Sequence, residues 1–589
     1  MQRYSLFLIV FFAVLNLYII DATINDVPED EWWHNSFIYE LYIQSFKDSN
    51  GDGLGDLNGA TSKLEHIKDL GISTVWITPF YKSPMIDFGY DITDFKGIDP
   101  LFGNFNDFDR LIQKANSLDM KIVLDFVPNH TSDQHPWFVK SVKRIKPYDD
   151  YYIWFDGKIV NGTRQPPTNW LSIFHISAWT WNEQRQQYYY HGFTKSQPDL
   201  NFRNPRVNNE MKKILRFWLK KGIKGFRVDT IPSLVEGNPD EEFPLKDQPK
   251  RINSPFPDGH YLSQVRPYSY DPTGSYPIFK TWRDVLDGYS KQKKLLLAEA
   301  YFQPEKLNYT MNYYNYGADV PMNVFLIGIY ENKTSISGLL NLIEPYLEAI
   351  PKGKSPNWVF DNHDRSRAAT RFGRDRADQM TMFTAVLPGI VVVYQGGEIG
   401  MEDRPTTWEE TIDPPGCNLG PDEYHIGSRD PNRSPFQWDN TTSAGFSKNN
   451  KTWLPVHENY KTLNLAAQKL AQNSHYHIFK KAVALKKIRA IREGKIKFIN
   501  VNEKVLIVIR CPDENLENIE SLDRDDLIVL LINFTDGPID VNLADYLHVK
   551  KFNMMVYVAS LTSHIKAGSR IKTDNIYLPP AASVILRQI

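Results

Sequence analysis

The sequence predicts an α/β protein: a (β/α)8 TIM barrel with a subdomain inserted after the third strand and an antiparallel β domain at the C-terminus. Three observations support this fold class. Short apolar runs alternate with amphipathic stretches from about residue 35 to 400, which is typical of parallel strands covered by helices on both faces. A stretch rich in Trp, Tyr, Pro and Asn, residues 130–202, interrupts the alternation. After about residue 485 the segments are β-rich, with no helical pattern between them.

Eight strand–helix units would close such a barrel. Seven apolar runs are predicted strands, and a further one near Ala318–Phe325 is the least regular. The seven are Phe37–Ile43, Thr74–Thr78, Lys121–Phe126, Gly225–Val228, Leu295–Ala298, Trp358–Phe360 and Ile390–Tyr394. The amphipathic pattern predicts helices over Ala60–Leu70, Phe105–Leu118 and Val207–Lys221.

The domain bounds follow from these changes of pattern. We assign residues 23–129 and 203–485 to the barrel, 130–202 to the inserted subdomain and 486–589 to a C-terminal β-sandwich domain. A long insertion in a compact domain is often functional, so residues 130–202 are expected to lie over one end of the barrel. The predicted C-terminal strands are Val505–Arg510, Leu527–Phe534, Met554–Val558 and Ser583–Leu586.

Residues 1–22 have the order of a secretory signal peptide. Arg3 precedes an apolar run, Leu6–Ile20, and the small residue Ala22 follows it. The run is shorter than the roughly 20 residues that span a bilayer. Cleavage near Ala22 would leave a secreted, extracellular protein without a membrane attachment. A retained membrane anchor is the alternative.

The composition is that of an ordinary globular protein, with 42% hydrophobic and 23% charged residues. The net charge of -2 gives no excess of either sign, so neither nucleic acid nor an anionic membrane is an expected partner. Aromatic residues make up 13% of the chain, which suits either a large aromatic core or a sugar-binding cleft. Two cysteines, Cys417 and Cys511, are too few for a disulfide framework, and their pairing is left open.

Eight Asn-x-Ser/Thr sequons are candidates for N-linked glycans on a secretory route. They begin at Asn129, Asn161, Asn308, Asn332, Asn432, Asn440, Asn450 and Asn533. Asn129 and Asn432 lie inside motifs that are expected to line the active site, which makes them poor acceptors.

Polar residues directly after the barrel strands are the candidates for an active site, because the C-terminal strand ends carry the chemistry of such barrels. Strand three continues into DFVPNH, strand four into GFRVDT, strand five into LLLAEAY and strand seven into FDNHD. A single acidic residue at such a place would more often cap a helix. Three carboxyl groups, Asp229, Glu299 and Asp364, with His and Arg neighbours, instead suit glycoside hydrolysis, in which one carboxylate attacks and a second is a general acid.

These motifs resemble the α-amylase family of glycoside hydrolases, and QPDLNF at 197–202 and SRDPNRSPFQW at 428–438 resemble its oligo-1,6-glucosidase and maltase branch. The resemblance covers nearly the whole mature chain. It implies a retaining α-glucosidase in which Asp229 is the nucleophile and Glu299 the acid/base. Asp364 would distort the sugar and stabilise the transition state. Arg227, two residues before Asp229 and on the same side of the strand, is expected to keep Asp229 ionised.

The resemblance also implies a closed pocket for the terminal glucose. The residues that it assigns to this pocket are Asp87, Tyr90, His130, Phe174, Phe193, Arg227 and His363. Asp87 would bind the far hydroxyl groups of the sugar, Tyr90 would stack on its ring, and the two Phe side chains would form apolar walls. Arg433, with Arg429 as the alternative, would pair with Asp87 and block the cleft beyond the glucose, which would make the enzyme exo-acting.

Thr230, directly after Asp229, bears on the linkage that is cleaved. In this branch a Val at that position accompanies α-1,6 cleavage, and Thr or Ala accompanies α-1,4 cleavage. The expected substrates are therefore maltose, short malto-oligosaccharides and sucrose. Relatives often carry Gly-Gly where this chain has His175-Ile176, which leaves the aglycone preference open. A transglucosylating sucrose isomerase or trehalose synthase and a non-catalytic, membrane-anchored transporter heavy chain are the alternatives.

Residues 48–56, DSNGDGLGD, alternate oxygen-bearing side chains with small residues, as the first half of a calcium loop does. The loop lacks the distant Glu of an EF-hand, and its Asn-Gly and Asp-Gly pairs also form turns unaided. The resemblance implies one structural Ca²⁺ away from the chemistry and no organic cofactor. Its ligands would be Asp48, Asn50, Asp52, the carbonyl of Leu54, and Asp56.

Overall fold

The computed structural model describes residues 16–20, 31–237, 241–328, 335–512, 523, 525–547 and 552–589. The chain forms two compact units. One comprises residues 24–332 and 349–487, and the other comprises residues 1–23, 333–348 and 488–589.

Eight parallel strands form the main sheet of the first unit, which confirms the predicted (β/α)8 barrel. They are β1 (Phe37–Leu41), β2 (Thr74–Ile77), β3 (Lys121–Phe126), β4 (Gly225–Val228), β5 (Leu295–Ala298), β6 (Val320–Pro321), β7 (Asn357–Val359) and β8 (Ile390–Tyr394). The hydrogen-bonded order is β6-β5-β4-β3-β2-β1-β8-β7. The Val359 amide of β7 donates over 3.0 Å to the carbonyl of Asn323, two residues after β6, so the barrel is nearly closed there.

The strand β6 is only two residues long, although the sequence pattern extended over Ala318–Phe325. Pro321 has no amide N–H to donate to a neighbouring strand, so a longer strand would lack a hydrogen bond there. The chain then turns into a 3-10 helix, Phe325–Gly328. This shortness explains why the periodicity of the segment was weak.

A longer helix follows each barrel strand along the chain. These helices are Leu57–Asp69, Phe105–Ser117, Pro205–Lys220, Ser275–Asp287, Leu307–Asn315, Ile336–Ala349, Arg374–Val386 and His475–Leu485. Shorter helices are Ile43–Phe46, Pro136–Val142, Ala368–Arg371, Pro414–Leu419, Tyr424–Gly427, Leu465–Leu470, Arg489–Glu493 and Leu543–Leu547. Local sequence sets the helix starts: Asn104 and Asp107 form a capping box, and Asn204 caps a helix that begins with Pro205. No helix among the described residues is long and apolar enough to cross a bilayer.

Residues 130–202 contain the helix Pro136–Val142 and five short strands. The strands are Trp154–Phe155, Lys158–Val160, Thr163–Gln165, Trp179–Asn182 and Gln187–Tyr190. Several of the aromatic side chains, including Trp170, Trp179 and Tyr190, pack in a small core of their own. Much of the aromatic content of this segment is therefore structural rather than a sugar platform.

The second unit contains an antiparallel sheet, as the sequence predicted. In spatial order its strands are Asn16–Ile20, Lys495–Val501, Val505–Cys511, Ile528–Asn533, Ser583–Arg587, Asn553–Ala559 and Arg570–Lys572, and a two-stranded sheet pairs Ile539–Val541 with Ile576–Leu578. The strand Asn16–Ile20 falls inside the predicted signal peptide, whose residues 1–15 and 21–22 lie outside the described residues. The signal peptide stays a prediction. Cys417 is an exposed cysteine outside any disulfide.

Candidate active site

Arg227 on β4 lies at the centre of a buried cluster of charges. Its Nη1 atom is 2.9 Å from Asp125 Oδ1 and 2.6 Å from Asp229 Oδ1, and its Nη2 atom pairs with Glu299 Oε1. The strand register explains the grouping, because Arg227 is opposite Asp125 on β3 and opposite Leu297, two residues before Glu299, on β5. The structure therefore brings Asp229 and Glu299 together as predicted. It adds Asp125, which the sequence showed only as part of DFVPNH.

One guanidinium group faces three carboxyl groups in this cluster, so full ionisation would leave like charges buried together. Burial raises the pKa of Asp229 well above its usual range, with Arg227 opposing and Glu299 and Asp125 adding to the rise. Burial also raises the pKa of Asp125 and of Glu299 against the same opposing charge. Arg227 lowers the pKa of Asp229, which is the direction that the sequence predicted, but desolvation acts in the opposite direction and outweighs the ion pair. The cluster as a whole favours retention of a proton.

Thr230 turns the chain directly after Asp229. Its φ of 41° and ψ of 43° lie in the left-handed region, which is costly for a β-branched residue. The backbone N–H of Thr230 donates to Glu299 Oε2 over 2.8 Å. Strain of this kind concentrates at functional sites, and here the strained turn fixes the carboxyl group of Glu299.

Asp364, after β7, has a different environment. Arg433 Nη2 lies 2.9 Å and Arg429 Nη1 3.3 Å from Asp364 Oδ1, and His363 Nε2 lies 3.5 Å from Oδ2. Burial alone would raise the pKa of Asp364, but His363 and the two arginines together hold it well below its usual range. The environment of Asp364 therefore favours its ionised form, whereas that of the Arg227 cluster favours retention of a proton.

The ion pair at Asp87 differs from the prediction. Arg429, and not Arg433, places its Nη2 atom 2.8 Å from Asp87 Oδ1, whereas Arg433 is paired with Asp364. The fully buried Asp413 explains the exchange: it accepts from the backbone N–H of Arg429 over 2.6 Å and from its Nη2 over 2.7 Å. Both arginines belong to the motif at 428–438, whereas Asp413, which positions Arg429 against Asp87, lies outside that motif.

Gln197 connects the two hydroxyl-binding candidates Asp87 and His130. Its side-chain NH₂ group donates to Asp87 Oδ2 over 2.9 Å and lies 3.1 Å from His130 Nε2, while its oxygen accepts from Thr194. Burial lowers the pKa of His130 to about 3, so its ring is neutral. The sequence reasoning gave Gln197 no role of its own, although it stands in the quoted motif QPDLNF.

Aromatic rings complete the predicted glucose pocket. The Tyr90 ring stacks on the His363 ring with 5.6 Å between centroids and 9° between planes. Phe193 lies 5.0 Å from the ring of His130 and 5.5 Å from the ring of Phe174. The guanidinium of Arg429 lies over Phe174 at 5.0 Å. The structure therefore joins the predicted pocket residues into one connected set.

His175, where relatives often carry Gly, has a φ of 65°, in the left-handed region that favours glycine. Its ring packs against His260, with 4.2 Å between centroids, and its Nδ1 accepts from the amide of Tyr261 over 3.4 Å. The departure therefore adds a contact between the inserted subdomain and the segment after β4.

The predicted calcium loop is held by hydrogen bonds from its own backbone. Asp48 accepts from the amides of Gly51 and Gly53, and Asp56 accepts from the amides of Ser49 and Gly59. In the part of the chain that the structure describes, no group of three or more acidic, His or Cys side chains is placed to hold a metal ion. The proposed ligand set is nevertheless made entirely of oxygen atoms, which is the set that Ca²⁺ prefers.

A (β/α)8 barrel that gathers carboxyl groups from the ends of β3, β4 and β5 around one buried arginine, with a further carboxylate after β7, has the architecture of a glycoside hydrolase. The family model for the α-amylase catalytic domain matches residues 40–494, and the chain belongs to that family. The protein is thus a glycoside hydrolase.

Named relatives cover nearly the whole chain. An α-glucosidase of Apis mellifera is 43% identical over 537 residues, which are 91% of this chain and 93% of the relative. Maltase A1 of Drosophila melanogaster is 41% identical over 575 residues, 96% of this chain and 98% of the relative. A solved structure of an α-glucosyl transfer enzyme is 31% identical, with a TM-score of 0.80 over 95% of this chain and 99% of that one.

Proposed function

We propose that the protein is an exo-acting, retaining α-glucosidase that hydrolyses terminal, non-reducing α-1,4-linked glucose from maltose, short malto-oligosaccharides and sucrose. The observation that carries the proposal is the division of the carboxyl groups into two kinds. Asp229 and Glu299 share the environment of Arg227 and favour retention of a proton, whereas Asp364 is held ionised by Arg429 and Arg433. The α-glucosidase and maltase relatives support the same activity.

In the proposed mechanism the retained proton resides on Glu299 and Asp229 is the carboxylate that attacks the anomeric carbon. The bond to the aglycone breaks as Glu299 protonates the leaving oxygen, and a glucosyl ester of Asp229 forms. Glu299, now ionised, takes a proton from water, and the water oxygen displaces Asp229 from the anomeric carbon. Two inversions return the α configuration, and the charge of Asp364 stabilises the cationic transition state.

The exo mode of action rests on the closed end of the glucose pocket. Asp87 and Arg429 are paired over 2.8 Å, Asp413 holds Arg429 from behind, and Phe174 lies under its guanidinium. Asp87 and Arg429 are both nearly buried in the structure. A pair fixed in this way leaves no path for a chain that extends beyond the terminal glucose.

The substrate range is tested with purified protein on equimolar maltose, sucrose, isomaltose and soluble starch. We expect the fastest release of glucose from maltose, slower release from isomaltose and little from starch, with α-glucose as the initial anomer. Thr230 underlies the expected preference for the α-1,4 bond. Faster cleavage of isomaltose than of maltose would contradict the linkage assignment, and initial β-glucose would contradict the retaining mechanism. Isomerised disaccharides as the main products from sucrose would point to the transglucosylating alternative.

We also propose one structural Ca²⁺ bound by Asp48, Asn50, Asp52, Asp56 and the Leu54 carbonyl. The ion would relieve repulsion among the three carboxylates of one short loop, and no catalytic step passes through it. Chelation is expected to lower the midpoint of thermal unfolding while leaving turnover at low temperature unchanged, and added Ca²⁺ should restore the midpoint. Asp52→Asn, at an exposed position of the loop, should have a lower midpoint in Ca²⁺ that chelation changes little. A midpoint of the unmodified protein that does not respond to chelation would refute the site.

Secretion is part of the proposal, with cleavage near Ala22 and N-linked glycans on the exposed sequons. Four sequon asparagines are exposed: Asn161, Asn308, Asn440 and Asn450. The other described sequon asparagines, Asn129, Asn432 and Asn533, are buried. The side-chain NH₂ group of Asn129 donates to Asp199, and that of Asn432 donates to the His363 carbonyl. The NH₂ group of Asn533 donates to three backbone carbonyls, among them that of Pro579. Asn332 lies outside the described residues.

A further inference from the structure

Glu40 on β1 is a buried carboxyl group that the proposed mechanism does not use. Its side chain is fully buried, and its Oε1 atom lies 2.5 Å from His363 Nδ1 and 3.3 Å from the His363 amide, which donates to it. Its Oε2 atom has no hydrogen-bond partner among the described residues. A carboxylate with one oxygen unpartnered in the interior would be strongly disfavoured.

The other nitrogen of His363 determines where the protons lie. His363 Nε2 is 2.9 Å from the Tyr90 hydroxyl, and the same hydroxyl is 3.0 Å from Asp125 Oδ2. The hydroxyl has one proton. If Asp125 is ionised, Tyr90 must donate to it, because two oxygen atoms without a proton between them would otherwise face each other. Nε2 of His363 must then carry a proton and donate to the Tyr90 oxygen.

His363 is a neutral imidazole, since burial lowers its pKa well below 6.5, with Arg433 and Arg227 contributing against the opposing charge of Asp364. A neutral ring with a proton on Nε2 has only a lone pair on Nδ1. Glu40 Oε1 lies 2.5 Å from His363 Nδ1, so Glu40 has to supply the proton of this hydrogen bond.

A proton on Asp125 instead of Glu40 would reverse this chain of hydrogen bonds, and the donors available to each carboxyl group decide between the two arrangements. Asp125 accepts hydrogen bonds from Arg227 Nη1 over 2.9 Å and from the Trp76 indole N–H over 3.2 Å. Among the described residues, the donors to the carboxyl group of Glu40 are one backbone amide and, in that reversed arrangement, the imidazole. Asp125 is therefore the better stabilised anion.

The surroundings of Glu40 point the same way. Trp76 on β2 and Tyr394 on β8 are its partners in the neighbouring strands. Burial raises the pKa of Glu40 well above its usual range; Asp364 and Asp361 add to the rise, and Arg227 and the His363 amide oppose it.

We propose that Glu40 is a neutral carboxylic acid at working pH and that its proton fixes the His363 tautomer that carries hydrogen on Nε2. That N–H is directed towards Tyr90 and Asp364, in the glucose pocket. Glu40 is thus a positioning residue that acts through His363. The consequence for catalysis rests on the proposed function, whereas the protonation state of Glu40 does not.

The protonation state is tested by the pH dependence of stability in the full chain and in Glu40→Gln. The folded pKa of Glu40 is raised, so its contribution to stability is fully present below the unfolded pKa of about 4.3 and is lost as pH rises towards the folded pKa. The unfolding equilibrium constant of the unmodified protein should therefore rise about tenfold per pH unit relative to that of Glu40→Gln from about pH 5 up to the folded pKa of Glu40. If the unfolding equilibrium constants of the two proteins change with pH in the same way, Glu40 is ionised in the folded protein, and the proposal is overturned.

Glu398→Gln is the matched control for this measurement. Glu398 is also fully buried in the barrel, but both its oxygens accept hydrogen bonds, from Tyr39 and His66 at Oε1 and from the Gly396 amide at Oε2. The side-chain NH₂ group of a Gln at this position would face one of these hydrogen-bond donors and could not accept from it. We expect Glu398→Gln to be less stable at every pH, without the growing advantage expected of Glu40→Gln.

The positioning role is tested by the pH profile of kcat/KM. A Gln amide can donate to His363 Nδ1 as the acid does, so Glu40→Gln should retain kcat/KM within about threefold and an unchanged alkaline limb, whereas Glu40→Leu, which cannot donate, should lose about tenfold. An alkaline limb that moves to lower pH in Glu40→Gln would mean that a negative charge was removed near the general acid, which contradicts a neutral Glu40. A Glu40→Leu variant as active as the unmodified protein would refute the positioning role alone. Absence of glucosidase activity from the unmodified protein would refute the proposed function and leave the stability test decisive for the proton.

Discussion

Asp229→Ala and Glu299→Ala are each expected to lose about 10⁴-fold or more of kcat on maltose, because each removes a group that acts in the bond-breaking step. Azide should then restore activity in both variants with opposite stereochemistry. In Asp229→Ala, azide can occupy the space of the missing carboxylate and displace the aglycone once, which gives β-glucosyl azide. In Glu299→Ala, azide attacks the glucosyl ester of Asp229, and the double displacement gives α-glucosyl azide.

The substrate 4-nitrophenyl α-glucoside separates the two roles further, because its leaving group needs little protonation. Glu299→Ala should form the ester readily on this substrate and accumulate it, whereas Asp229→Ala should remain slow without azide. The same anomer of the azide product from both variants would refute the assignment of nucleophile and acid. The thermal unfolding of both variants serves as the control. Each substitution removes one carboxyl group from a cluster with three around a single guanidinium, so neither should destabilise the fold strongly.

The barrel could be predicted from the sequence because its strands are buried on both faces and are therefore continuous apolar runs. The strands Lys121–Phe126, Gly225–Val228 and Leu295–Ala298 have the predicted bounds. The bounds of the two-residue strand Val320–Pro321 could not be predicted, because a short apolar run that contains a proline has little periodicity. The strand-end rule then indicated Asp229 and Glu299, which the structure places on either side of Arg227.

The pairing inside the site could not be read from the motifs. Arg429 and Arg433 are four residues apart in one motif, and only the buried Asp413, sixteen residues before Arg429, shows which of them faces Asp87. The effect of burial on the pKa of Asp229 could not be read from the motifs either, because it depends on which groups surround the carboxyl group in three dimensions. Glu40 lies in an ordinary apolar strand, and its contact with His363 joins residues 323 positions apart. Local patterns do not report contacts of that range.

Asp87→Asn is expected to lower kcat/KM on maltose by about 10²-fold or more, since a carboxylate that accepts two sugar hydroxyl groups contributes about 1.5–3 kcal/mol for each charged hydrogen bond. Asp87 is a better target than Arg429. Loss of the arginine would leave both Asp87 and the fully buried Asp413 without their cation, and breaking a buried pair in that way is strongly destabilising. With Asn at position 87, Arg429 keeps its contacts with Asp413.

The decisive measurement compares kcat/KM of the unmodified protein and of Asp87→Asn on two substrates. The substrates are maltose and a maltose analogue that lacks the 4-hydroxyl of the terminal, non-reducing glucose. The unmodified protein should lose activity on the analogue, and Asp87→Asn should lose little more, because the partner of that hydroxyl is already gone. Asp91→Asn is the matched control. Asp91 is buried in the same loop and accepts from the amides of Asp87 and Ile86, so its loss disturbs the loop without removing the proposed sugar contact. It should lower the activity on both substrates by the same factor. If Asp87→Asn does the same as Asp91→Asn, Asp87 only shapes the loop, and the closed end of the pocket would have to be assigned to Arg429 alone.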